Sequence, residues 1–227
     1  INNTRPEING ILCNFNTTNH RLILTATDSY RLVEKQIPLS KSTNKENIQL
    51  IIPARSIQEL IRLITEQDNK QEIEIFPSEN QILFSFNQIE FISRTISGEY
   101  PDYQQIVPKK FSTTATVDIA SIVRYIKTAG LFSRGEINDI NLEFIPQHDK
   151  IIISSSASQI GQNQSEIPAK IEGEKNMVTF NYRYLLDSLN NLADDQAIIK
   201  MIDNNNPVMI CPKKEQRYFS IIMPIKQ

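Results

Sequence analysis

Few side chains in this sequence are spaced to do covalent chemistry. A nucleophilic triad needs a histidine within reach of Ser or Cys, and the 227 residues contain only His20 and His148. His20 falls at a hairpin and His148 in the turn Pro146-Gln147-His148-Asp149, both positions of solvated loop residues. Gly130 and Gly135 have the spacing of a phosphate-loop pair, but Glu136-Ile137 follows where Lys and Ser/Thr are required. Asp194-Asp195 reads as a polar turn after a helix before it reads as paired acids or metal ligands. Cys13 and Cys211 cannot form a disulfide framework, and two histidines give no zinc-like cluster. The sequence predicts no catalytic residue, no metal and no cofactor.

The residues left over are suited to binding. Arg55, Arg62, Arg124, Lys127 and Arg183 lie on or beside three predicted helices, off their apolar faces. They read first as solvated helix surface. If the helices share one surface, they read instead as a thin positive field for phosphates, weak, salt-sensitive and without sequence preference. The balance of 24 Lys+Arg against 26 Asp+Glu argues against gripping nucleic acid with the whole surface. No apolar run approaches the roughly 18 residues needed to cross a bilayer, so no membrane partner is expected.

The elements that must position these residues follow from periodicity. Ile57, Leu60, Ile61 and Ile64 recur at i, i+3, i+4 and i+7, as do Ile119, Ile122, Val123 and Ile126, and Tyr182, Leu185, Leu186 and Leu189. Each quartet shares one helix face. Ser56, Asp118 and Asn181 precede the quartets as candidate N-caps. Ile-rich strands are predicted at Ile8–Phe15, His20–Thr27, Tyr30–Ile37, Gln49–Ile52, Glu72–Phe76, Ile82–Phe86 and Ile89–Arg94. Further strands are expected at Ile140–Ile145, Lys150–Ser154, Ser165–Ile171, Met177–Phe180, Ala197–Ile202, Val208–Cys211 and Arg217–Met223.

This order contains a repeat. Residues 111–227 read strand, helix, four strands, helix, three strands, and residues 1–110 read four strands, helix, three strands. The Pro-containing seam Val107-Pro108-Lys109-Lys110 divides them, and each half carries 12 basic and 13 acidic residues. The first copy lacks a counterpart of Ala115–Gly130. With Ile1 in place of Met, this leads to the expectation that the chain starts inside a domain.

Four segments sharpen the reading: Thr4-Arg5-Pro6-Glu7-Ile8-Asn9-Gly10, Ala26-Thr27-Asp28 with Arg31-Leu32, Gly98-Glu99-Tyr100-Pro101-Asp102-Tyr103, and Met223-Pro224-Ile225. In this order, with the repeat between them, they resemble the bacterial DNA polymerase III beta subunits, the sliding clamps. The resemblance covers essentially the whole chain, as most of a middle domain (1–110) and a C-terminal domain (111–227) of a three-domain subunit.

The resemblance implies an α+β fold of repeated clamp domains, helices on the inner face and antiparallel sheets outside. It implies a cytoplasmic tether in place of an enzyme. Two full-length subunits close into a homodimer ring around duplex DNA, and the ring docks the replicative polymerase, the clamp loader and other proteins carrying a clamp-binding motif. Matched position by position, the motif would be received by Ile8, Thr27, Tyr30, Arg31, Leu32, Pro101, Ile106, Val208, Ile221, Ile222, Met223, Pro224 and Ile225. Arg5 and Arg55 match basic positions near the hole, while Glu136-Ile137-Asn138-Asp139 departs from a basic segment. Ser29-Tyr30 replaces a common Gly-His, and Gln105 stands where some members carry Arg. A stand-alone peptide-binding module is the alternative. A hydrolase using the Asp pair is the third reading.

Overall fold

Buried and more exposed residues alternate cleanly along several strands, among them residues 81–86, 113–118, 196–201 and 208–212. The computed structural model describes residues 5–16, 18–40, 47–66, 72–133, 135 and 137–226, so the readings placed on Ile1, Thr4 and Glu136 lie outside the described residues. By contacts the chain forms two units: Ile1–Asp28 with Glu34–Asp102, and Ser29–Val33 with Tyr103–Gln227. The expected seam at Lys110 falls within the second of these. The architecture is α+β, with antiparallel sheets and, among the described residues, three α-helices.

The first unit contains β1 (Gly10–Asn16), β2 (Arg21–Thr27), β3 (Arg31–Pro38), β4 (Ile48–Pro53), α1 (Ala54–Thr65), β5 (Glu74–Pro77), β6 (Gln81–Phe86) and β7 (Ile89–Arg94). The start of β3, Arg31–Val33, groups with the second unit. β2, β1 and β4 are neighbours in one sheet, with Cys13 opposite Leu24 and Leu50. β5, β6 and β7 form another. Between them lies a core of Cys13, Phe15, Leu22, Leu50, Ile52, Leu60, Ile82, Phe84 and Phe86.

Two expectations fail here. Ile8 does not open a strand: Pro6–Asn9 is a 3-10 turn with Pro at its start, and extended pairing begins at Gly10. Ser56 does not cap α1, because the helix already starts at Ala54 behind Pro53. Ser56 lies within the first turn and accepts a hydrogen bond from Ser93 Oγ at 2.8 Å. Proline is well suited to a helix start, where a missing N–H costs nothing.

The second unit adds β8 (Thr113–Asp118), α2 (Ile119–Gly130), β9 (Asp139–Ile145), β10 (Lys150–Ala157), β11 (Gly161–Pro168), β12 (Lys170–Gly173), β13 (Asn176–Asn181), α3 (Tyr182–Asn190), β14 (Gln196–Met201), β15 (Val208–Pro212) and β16 (Tyr218–Ile222). The single strand expected over Ser165–Ile171 is two, β11 and β12. They belong to different sheets, and the Ala169 N–H between them donates to the Asp149 carbonyl. One sheet runs β12-β8-β14-β15-β16 and the other β11-β10-β9-β13.

Both expected caps form in this unit. Asp118 Oδ1 accepts from the Ser121 N–H at 2.7 Å, and Asn181 Oδ1 from the Arg183 N–H at 3.0 Å. Each satisfies a donor that the first helical turn leaves orphaned. α2 and α3 pack together, and their Ile122, Ile126, Leu185 and Leu189, all at 0% exposure, belong to one core. A Cβ on Gly130 would sit 3.0 Å from the Tyr182 ring, so this glycine serves close packing and not a phosphate.

The two copies of the repeat differ in how far they are closed. β14 is paired on both sides, by β8 and β15. Its counterpart β5 is paired only by β6 among the described residues. Leu186 is half-buried in the unit where α3 has α2 beside it. Ile61, the matching member of the α1 quartet and expected in the core, is 57% exposed. Leu63 packs on the core of that unit instead.

Candidate functional site

The densest group of predicted binding residues assembles inside the second unit. Ser29 adopts φ +77°, a left-handed conformation that favours glycine, and so turns the chain sharply into Tyr30. The Met223 N–H donates to the Tyr30 carbonyl at 2.9 Å, fixing the C-terminal segment against the start of β3. One residue pair further, the Ile225 N–H donates to the Thr179 carbonyl at 2.9 Å. Pro224, which has no N–H of its own, lies between two residues that are both anchored.

Side chains then gather over this backbone. The Tyr30 ring, 62% exposed, stacks on Tyr184 of α3 with centroids 6.3 Å apart and planes at 26°. The Arg31 guanidinium lies over the same Tyr184 ring at 4.6 Å and pairs with Asp187 one turn further along the helix at 2.5 Å. Tyr184 and Asp187, at i and i+3, share one helix face. Met223, Pro224 and Ile225 are half-buried.

The matched residues divide by depth. Leu32 is 3% exposed, and Val208, Ile221 and Ile222 are 0% exposed, so they form floor and core beneath the surface. Val208 faces Ile222 across β15 and β16. Ile106 is 43% exposed at the end of a 3-10 turn, Tyr103–Ile106. In the first unit Ile8, Thr27 and Pro101 are half-buried. There Tyr100 Oη donates to the Thr25 carbonyl at 3.4 Å.

Tyr184 and Asp187 were not singled out by sequence reasoning. The apolar quartet of α3 assigns Tyr182, Leu185, Leu186 and Leu189, and leaves both looking like solvated surface. The spacing of an aromatic and an acid one turn apart was the available signal. It has meaning only once Tyr30 and Arg31 are known to face them.

The basic candidates are not equivalent. Arg62 is paired with Glu59 at 2.6 Å and Glu66 at 2.5 Å, so two carboxylates outweigh its charge locally. Arg5 pairs with Glu7 at 3.2 Å. Arg124 and Arg183 lie over their neighbours Tyr125 and Tyr182 at 4.9 and 5.9 Å. Arg55 and Lys127 are exposed near the first turn of α1 and in the last turn of α2.

Asp194 has a structural task. Its side chain is 1% exposed, and it accepts from the Lys214 N–H at 2.7 Å and the Asp195 N–H at 2.7 Å. The Lys214 N–H, aided by those of Gln196 and Asp195, outweighs desolvation and lowers its pKa to about 2. The Cys13 thiol is pushed up to about 12 by burial. Among the described residues, no three His, Cys, Asp or Glu side chains are grouped to hold a metal ion.

The fold is thus a repeated antiparallel α+β unit that carries a cluster of aromatic and charged side chains on its second copy. The profile of the DNA polymerase III beta subunit central domain matches residues 1–102, and that of its C-terminal domain matches residues 104–226. The chain belongs to the DNA polymerase III beta subunit family. It is 30% identical over 224 residues to the beta sliding clamp of Staphylococcus aureus, covering 98% of this chain and 58% of that one. It superimposes on the sliding clamp of Bacillus subtilis with a TM-score of 0.92 at 29% identity, covering all of this chain and 58% of the other. The DNA polymerase III beta chain of Streptococcus pneumoniae gives 0.90 at 28% identity, over 100% and 59%. The chain thus spans just under three-fifths of the length of the relatives it matches. No helix among the described residues is long and apolar enough to cross a membrane.

Proposed function

We propose that this chain is the partner-docking part of a DNA sliding clamp, a tether without a catalytic site of its own. In the complete subunit, two copies would close a ring around duplex DNA. Held by topology, such a ring needs only weak contacts to the backbone, and a near-neutral charge suits it. Arg55, Arg124, Lys127 and Arg183 are the candidates for those contacts. Arg62 is the weakest, because its guanidinium is already committed to two carboxylates. A polymerase held on the ring gains effective concentration at the primer end without new chemistry.

The observation that carries this reading is the cluster of Tyr30, Arg31, Tyr184, Asp187 and Met223 in a chain of this family. Its exposed Tyr30 ring, the half-buried Tyr184 ring beneath it and the half-buried Met223-Pro224-Ile225 segment suit a short partner motif with Gln and bulky apolar residues. A few aromatic contacts would supply most of the affinity, and Met223 can adapt to different side chains. The replicative polymerase, the clamp loader and repair proteins are the partners of this class.

The test is fluorescence anisotropy with a labelled peptide carrying Gln, Leu and Phe in a clamp-binding motif. Saturable binding by this chain is expected, with at least tenfold loss in Tyr184→Ala and in Met223→Ala. Binding that is absent, or unchanged in both variants, would remove the assignment.

A further inference from the structure

The outer face of the β5-β6-β7 sheet carries an apolar row that folding does not use. In register, Phe76 stands opposite Leu83, and Leu83 opposite Ile92. Opposed residues of an antiparallel pair share a face, with Cβ atoms about 5 Å apart. Phe76 is 52% and Ile92 59% exposed, and Leu83 is half-buried between them. The inward positions of β6 are Ile82, Phe84 and Phe86, at most 5% exposed, and these already fill the core.

Charge is distributed unequally about this row. On one side, Glu74, Ser85 and Glu90 form the next row of the same face. On the other side Gln81 stands opposite Arg94. Glu74, Glu90 and Arg94 form no ion pair among the described residues. The face is therefore an apolar stripe with carboxylates along one border and a guanidinium along the other.

We propose that this face is a contact between two copies of the chain, packed sheet on sheet about a two-fold axis that runs along the apolar row. A two-fold contact places the same patch on both partners. With the axis along the row, each copy's Glu90 lies over the other's Arg94, and Phe76 and Ile92 meet their own counterparts. With the axis along the strands, Glu74 would face Glu90 and the charges would repel. Charge thus selects one geometry, within the aligned class in which sheets pack about 10 Å apart. The patch is small beside the roughly 1,200 Å² of a stable specific interface, so the association is weak and belongs to high local concentration.

The inference does not depend on the proposed function, and Tyr184→Ala or Met223→Ala leaves it unchanged. It is tested by sedimentation equilibrium of the chain over a wide concentration range at low and high salt. A concentration-dependent dimer that weakens with salt is expected. Phe76→Ser with Ile92→Thr should give a monomer whose circular dichroism matches the parent, since both side chains point outward. Glu90→Arg should weaken the dimer several-fold, and Glu90→Arg with Arg94→Glu should restore it. A chain monomeric throughout, or a dimer indifferent to the apolar pair, overturns the proposal. A dimer lost with the apolar pair but not restored by the charge exchange overturns the two-fold geometry.

Discussion

Arg31 and Asp187, 156 residues apart in sequence, pair at 2.5 Å, and the same guanidinium covers the Tyr184 ring. Both partners are partly exposed, so the pair itself is worth at most ~1 kcal/mol of stability. Its effect is on position, because it holds Arg31 over the ring that Tyr30 stacks on. Asp187→Asn should leave the urea midpoint nearly unchanged and lower affinity for the clamp-motif peptide several-fold. Equal loss of stability and binding would make the pair merely structural.

Depth separates the two leucine- and methionine-bearing positions of the site. Leu32 and Met223 are both matched to the partner motif, but only Met223 is half-buried. Leu32 is 3% exposed, so Leu32→Ala should cost ~2–5 kcal/mol through lost packing. Tyr30→Ala with Met223→Ala should weaken peptide binding while the thermal midpoint, read by calorimetry, stays close to the parent.

Ser29 occupies a left-handed conformation at φ +77°. An L-residue there carries ~1–2 kcal/mol of strain, part of which glycine returns as unfolded-state entropy. Ser29→Gly should raise stability by ~0.5 kcal/mol in urea unfolding. It should leave the Tyr30–Tyr184 stack in place, so peptide affinity should not fall.

The Asp194 carboxyl falls from an ordinary 3.8 to about 2 on folding, chiefly through the Lys214 N–H. Between those values the unfolded chain binds more protons than the folded one, so stability rises with pH. The contribution of this group is fully present above about pH 4 and is lost as pH falls towards 2. Asp194→Asn should flatten that part of a stability–pH curve and lower stability at neutral pH.

The one-sided pairing of β5 should be visible in exchange. The amides of Glu74, Ile75 and Phe76 have β6 on one side only among the described residues, whereas those of β14 lie between two strands. Hydrogen exchange read by mass spectrometry should be faster in β5 than in β14. Equal protection would mean that another segment covers the β5 edge.

Much of this protein was legible as pattern. Alternation in Lys150–Ser154 and Ala197–Met201, the quartets of α2 and α3, and the caps Asp118 and Asn181 are local, set by residues a few positions apart. So is the repeat, because each copy writes the same sequence of periods. Tertiary structure decided what depends on partners far along the chain. Ile61 satisfies the helical period as well as Leu186 does, yet it is exposed because no second helix lies over it among the described residues. Ser165–Ile171 reads as one strand, but Ala169 turns between two sheets to meet Asp149. Tyr184 and Asp187 look like ordinary helix surface until a left-handed turn at Ser29 brings Tyr30 and Arg31 onto them. Periodicity records which way a side chain points, whereas what it meets there is set by long-range packing.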